Sequence, residues 1–121
     1  MQLSALRLFV RDLAQARQFY RSVLGLPLLS DGSAHGYCVF RSAGIDIVVE
    51  AVPADAPADE QQLVGRFAGI SFRVPDIEAS HRALLDQGVA FSGAPERQAW
   101  GGWLATLLDP AGNQLQLVQH P

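Results

Sequence analysis

The chain is written twice. Leu6-Arg7-Leu8-Phe9-Val10-Arg11-Asp12-Leu13 is matched in type by Ile70-Ser71-Phe72-Arg73-Val74-Pro75-Asp76-Ile77. Each segment is a short alternating strand, then Asp, then an apolar residue. The tails match as well. Ala43-Gly44 leads into Ile45-Asp46-Ile47-Val48-Val49, and Ala111-Gly112 leads into Asn113-Gln114-Leu115-Gln116-Leu117. In both, a turn precedes an alternating strand. A repeat at a fixed offset means one supersecondary unit used twice. One unit of this size has too small a core to stand alone, so two must pair, either within a chain or by exchange between two chains.

Asp12 and Asp76 are placed to cap helices, because a carboxylate can accept from the free N–H groups of a first turn. Gln15 stands three residues after Asp12, a capping-box spacing. The first helix is predicted from about Leu13 to Leu24, with Leu13, Ala16, Tyr20, Val23 and Leu24 on one face and Gly25 as its left-handed stop. The second is predicted from about Ile77 to Gln87, stopping at Gly88, with Ile77, Leu84 and Leu85 on its apolar face. Further strands are expected at about Tyr37 to Arg41 and Trp103 to Leu108. Pro53-Ala54-Asp55-Ala56-Pro57-Ala58-Asp59-Glu60 is poor material for a helix or strand interior and reads as the linker. The whole of 1–121 is expected to form a single α+β domain. Module one spans about 1–52, the linker about 53–66 and module two about 67–121. Each module is βαβββ, and the two form a concave mixed sheet with the helices on its outer face.

About half the residues are hydrophobic (49%), enough for a core without metal or disulfide support. Charged residues make up only 17%, which suggests extensive burial, a subunit interface included. The net charge of −3 favours neither nucleic acid nor an anionic membrane. Arg7, Arg11 and Asp12 interrupt any apolar signal segment, and no run is long enough to span a bilayer. A cytoplasmic protein is expected. Cys38 is the one cysteine, read as a small buried hydrophobe between Tyr37 and Val39.

The duplication, the phrase Val10-Arg11-Asp12-Leu13 leading to Phe19-Tyr20 and Leu24-Gly25-Leu26, and Asp109-Pro110-Ala111-Gly112-Asn113 near the end together resemble the vicinal oxygen chelate superfamily. This is the family of glyoxalases, bleomycin-resistance proteins and extradiol dioxygenases, and the resemblance covers nearly the whole chain. Its fold hosts lyases, dioxygenases, thiol transferases and drug-binding proteins, so the likeness alone does not select an activity. Metal-dependent members present one ligand, usually His or Glu, from each of four strands. Carried onto this chain, those positions fall on Ala5, on Val48 or Glu50, on Gly69 and on Gln116. Ala and Gly coordinate nothing through side chains, and a neutral Gln is a weak ligand. The resemblance therefore implies the fold without its usual metal, and no cofactor is expected.

The same correspondence places Ala5, Arg7 and Phe9 on the concave face, since side chains alternate along a strand. Ser71 and Arg73 follow from the second half, Gln114 and Gln116 from the last strand, and Glu50 from the fourth. Arg7 and Arg73 suit a carboxylate, a phosphate or another planar anion; alternatively, one or both reach the rim or pair with Glu50, which neutralises the site. Glu50 is the candidate catalytic base. Trp100-Gly101-Gly102-Trp103 places two indoles on a flexible turn, in a region where drug-binding relatives flank their pocket. Against this, one Trp can simply cover the core. Tyr37, Phe40 and Phe9 are weaker candidates, since aromatic side chains in strands lie in the core more often than in a site. His35, His81 and His120 show no mutual spacing that suggests a metal site.

The leading expectation is a metal-independent binder of a small organic molecule, anionic or aromatic, acting by sequestration or as a carrier, and forming a homodimer. The second is an enzyme of the same fold, metal-dependent or metal-independent: a lyase, isomerase or dioxygenase with an altered metal site or none, with Glu50 as base and Arg7 or Arg73 stabilising developing negative charge. The third is a non-catalytic partner or regulatory subunit.

Overall fold

The computed structural model describes residues 1–121. The protein is α+β, and its strands form two mixed sheets. It divides into two compact units. The first is Met1–Arg66 with Pro110–Asn113; the second is Phe67–Asp109 with Gln114–Pro121.

The first unit runs β1 (Ala5–Val10), α1 (Leu13–Gln18), β2 (Leu28–Gly32), β3 (Tyr37–Ser42) and β4 (Ile45–Ala51). Its sheet has the order β1-β4-β3-β2, with β1 parallel to β4 and the other pairs antiparallel. As the capping argument requires, Asp12 accepts from Gln15 N–H at 3.0 Å. After Gln18 the helix widens into a π-helical turn, Phe19–Val23, closed by Leu24 N–H to Phe19 C=O at 3.0 Å. The wide turn differs from the regular helix expected here. It buries the adjacent Phe19 and Tyr20 together, their rings edge to face at 5.2 Å. Gly25 then takes a left-handed φ of 72°. Tyr20 packs on Phe40, and Leu8, Val10, Cys38, Ile47 and Val49 complete this core. Fully burying one such large apolar side chain stabilises by about 1.5–3 kcal/mol.

The expected linker is not wholly irregular. Pro57 starts one short helix, α2 (Ala58–Gln61). Proline suits a helix start, where its missing N–H has no partner to lose. The Gln61 amide donates to Pro53, Ala54 and Ala56 carbonyls and accepts from Arg11, which fastens the segment to β1.

The second unit runs β5 (Phe67–Arg73), α3 (Ile77–Asp86), β6 (Ala90–Phe91), β7 (Glu96–Arg97), β8 (Trp103–Leu108) and β9 (Gln114–Gln119). Asp76 caps α3 by accepting from Ala79 N–H at 3.1 Å, and Gly88 ends it at φ 85°. The sheet order β5-β9-β8-β6 repeats that of the first unit. One element is split: where the first unit has β2, the second has β6 and β7, each only two residues, on opposite ends of β8. Ile77, Leu84, Ala105, Leu107, Leu115 and Leu117 are buried on the helix side.

The pairing registers carry the duplication to individual residues. Arg7 lies beside Val48, and Ser71 lies beside Gln116. Each pair stands at the same place in its own unit, so Val48 is the counterpart of Gln116, and Glu50 that of Val118. No helix is long and apolar enough to cross a membrane.

Candidate functional site

In the first sheet, the face turned from α1 carries three rows of side chains, read from the register. Phe9, Glu50, Tyr37 and Gly32 form one row. Arg7, Val48, Val39 and Ser30 form the next, and Ala5, Asp46 and Arg41 the third. Neighbouring strands lie about 4.8 Å apart, so Phe9 and Tyr37, two strands apart, flank Glu50 with a gap of roughly 10 Å between their backbones. Tyr37 lies over Gly32, where an added Cβ would meet its ring carbons. This row therefore needs glycine on β2. Val48 and Val39 supply an apolar patch beside the aromatic pair.

Arg7 grips Glu50 as a fork, Nε to Oε1 and Nη2 to Oε2, both at 2.8 Å. The Glu50 hydrogen bond, then its charge, raises the Arg7 pKa above its ordinary value. Arg41 pairs with Asp46 through a single bond, Nε to Oδ1 at 2.8 Å. Both pairs are open to solvent, so their contribution to stability is small. What they do is hold side chains in one geometry. The Arg7 guanidinium carbon sits 5.2 Å from the Phe9 ring centroid, and that of Arg66 sits 5.7 Å from it. The Phe9 ring thus has two cationic neighbours, of which only Arg7 has a carboxylate partner.

Asn113 holds this corner in place. It is 1% exposed. Its amide donates to the Phe9 carbonyl at 2.8 Å and accepts from Gly65 N–H at 2.9 Å and Arg66 N–H at 3.3 Å. The last residue of the Asp109-Pro110-Ala111-Gly112-Asn113 turn therefore fixes the backbone of Phe9 and of Arg66 at once. A turn motif alone gave no sign of that role, because the partners are distant in sequence.

In the second sheet, Ser71, Gln116 and Thr106 form a row on the face turned from α3. Gln116 donates to Thr106 Oγ1 at 3.3 Å. A cleft of about 260 Å³ lies here, lined by Ser92, Glu96, Gln98, Leu104, Thr106 and Gln116 among others. Gln114 stands beside the exposed Phe67 at the far end of β9.

Several expected site residues fall elsewhere. Trp103 pairs with Gln119 and alternates in step with buried Ala105 and Leu107, so it lies on the helix side, opposite Gln116. Trp100 is half-exposed, on the loop before β8, with its ring 6.1 Å from that of His120. Arg73, beside Val118 at the end of β5, stays on the sheet face of Ser71 and Gln116, as expected, and also lines a depression with Gln119 and His120. Phe40 is buried in the first core. Gly69 lies in an irregularity of β5, where Phe67 and Ser71 pair four residues apart with Gln114 and Gln116 two apart. Its φ is 70°, a left-handed value absent from Ala5, its counterpart by repeat.

The metal implied by the resemblance does not fit these residues. Ala5, Gly69 and Val48 offer no donor, and both Glu50 oxygens are engaged by Arg7. Gln116 offers one neutral oxygen. No three His, Cys, Asp or Glu side chains converge where they would hold an ion.

Comparison with known proteins agrees with this fold. A sequence model of the Glyoxalase/Bleomycin resistance protein/Dioxygenase superfamily matches residues 2–117. The chain is similar to a crystal structure of a member of that superfamily from Sphaerobacter thermophilus, at 26% identity and TM-score 0.80, covering 99% of this chain and 98% of that one. It is also similar to TnmS3, an antibiotic binding protein from Streptomyces sp. CB03234, at 26% identity and TM-score 0.78, covering 100% and 97%. A lactoylglutathione lyase from Agrobacterium tumefaciens shares the fold, at 19% identity and TM-score 0.75, covering 98% and 92%.

Proposed function

We propose that this chain, which belongs to the Glyoxalase/Bleomycin resistance protein/Dioxygenase superfamily, binds a small organic molecule without a resident divalent ion, as a sequestering or carrier protein. The observation that carries this reading is the Arg7–Glu50 fork beside Phe9. The single carboxylate in the family's ligand segment is committed to an arginine. The surface around it is then an aromatic and apolar one with fixed polar groups, the usual composition of a ligand site. Arg66 is the cation of this face without a carboxylate partner. The ligand class that suits it is a planar aromatic compound with an anionic or strongly accepting group, stacked on Phe9 or Tyr37 and drawn to Arg66. The similarity to an antibiotic binding protein supports binding over catalysis. A homodimer belongs to this reading, and the exposed apolar side chains of Leu29, Ile45 and Phe67 are compatible with contact between copies.

The test is calorimetric titration of the metal-free protein with planar aromatic carboxylates, phenolates and their neutral analogues. Binding is expected without added metal. Phe9→Ala and Arg66→Gln should each weaken it about tenfold, the loss of one aromatic or charge-assisted contact. Binding that appears only with added metal, or that ignores both substitutions, defeats the proposal.

A further inference from the structure

We propose a second ligand site, for a carboxylate or phosphate group, where Arg73, Gln119 and His120 line a depression with Val74 and Pro75 at the end of the second sheet. Its volume of about 360 Å³ lies within the range of small-molecule pockets. It uses no residue of the site proposed above, so either can fail without the other.

The polar lining consists of donors. Gln119 Oε1 accepts from Ile77 N–H at 2.8 Å. That bond settles which end of the amide is oxygen and leaves its two N–H groups as donors with no partner in the chain. Arg73 forms no ion pair; the three in the protein use Arg7, Arg17 and Arg41. Asp76, three residues along the chain from Arg73, is turned to the Ala79 N–H that it caps. The His120 ring is held beside Trp100, and it carries an N–H in either protonation state. No carboxylate lines the depression. A guanidinium, an amide N–H pair and an imidazole together match a group that only accepts, and a guanidinium matches planar or tetrahedral oxyanions through paired hydrogen bonds.

The support beneath is ordered. Val74 N–H donates to Val118 C=O at 2.9 Å, which ties the end of β5 to β9. Trp100 lies over Gly102, where an added Cβ would collide with the indole.

Isotope-labelled full-length protein would be titrated with sodium phosphate and, separately, sodium benzoate, with chloride holding ionic strength constant. The Gln119 side-chain amide and the His120 ring resonances report on the site. Saturable shifts with an apparent Kd of about 10 mM or tighter are expected for at least one anion. Arg73→Gln should weaken that binding at least about tenfold, while Arg82→Gln on the exposed side of α3 leaves it unchanged. A response to phosphate alone assigns a phosphate ligand, and one to benzoate alone a carboxylate. The absence of a saturable shift with either anion, or a response that survives Arg73→Gln, overturns the proposal.

Discussion

Asn113→Ala should be among the most costly single substitutions in the protein. The side chain is buried and joins three backbone groups: the Phe9 carbonyl at 2.8 Å, Gly65 N–H at 2.9 Å and Arg66 N–H at 3.3 Å. Alanine removes all three bonds and supplies no replacement. The two shorter bonds decide the magnitude. A buried donor or acceptor left without a partner costs about 1–3 kcal/mol, so the pair costs about 2–6 kcal/mol. That is a large share of the roughly 5–15 kcal/mol that stabilises an ordinary domain. For a chain of this length each kcal/mol lowers Tm by about 4 °C, so a fall of roughly 8–24 °C follows. Urea unfolding followed by circular dichroism measures the cost directly. The midpoint should drop with the slope unchanged, since the same surface is exposed on unfolding. A loss below about 0.5 kcal/mol would refute the reasoning, because it would mean that water or a backbone shift satisfies these groups equally well.

Other predictions rest on single features. Asp31 accepts from the Ser33 hydroxyl and Ser33 N–H and pairs with Arg17, and these hold its pKa down from 3.8 to about 2, the Ser33 hydroxyl contributing most. A carboxylate depressed in the folded state stabilises above its unfolded pKa and loses that effect as pH falls through the folded value. Asp31→Asn should therefore destabilise at pH 6 but not near pH 2, as read by thermal melts across that range; an equal effect at both ends would contradict the assignment. Gly69→Ala should cost about 1–2 kcal/mol, because φ is 70° and an L-residue is strained there even though the nearest atom to an added Cβ, Phe67 Cε1, is 3.9 Å away. A neutral substitution in chemical denaturation would show that β5 relaxes to ordinary strand geometry.

The parts of the fold set by local chemistry were legible in the sequence. Asp12 and Asp76 cap the helices they were expected to cap, and Gly25 and Gly88 end them. Alternation placed Leu8 and Val10 inside and Arg7 and Phe9 outside. What escaped depended on tertiary packing. The π-turn forms because Phe19 and Tyr20 are both accommodated in one core, which periodicity at 3.6 residues cannot express. The irregularity at Gly69 breaks the alternation that carried the repeat from β1 to β5. The Trp100-Gly101-Gly102-Trp103 segment allowed either a pocket wall or a cover for the core, and the β8 register turns Trp103 to the helix side. Of the candidate site, the Arg7–Glu50 pair was foreseen as one of two outcomes. Arg66 and Asn113 were missed because only the folded backbone brings them to Phe9. The proximity of Arg66 to that ring has no signal in local sequence.

Ala5, Val48 and Gly69 offer a metal ion no donor, and under the function proposed here the ligand binds without one. Elemental analysis of the natively purified protein, repeated after incubation with nickel, zinc, manganese and iron(II), measures whether an ion is held. The account predicts metal far below one ion per chain under every condition. One tightly held ion per chain would contradict it and bring the metal-dependent enzymes of the superfamily forward as the better comparison.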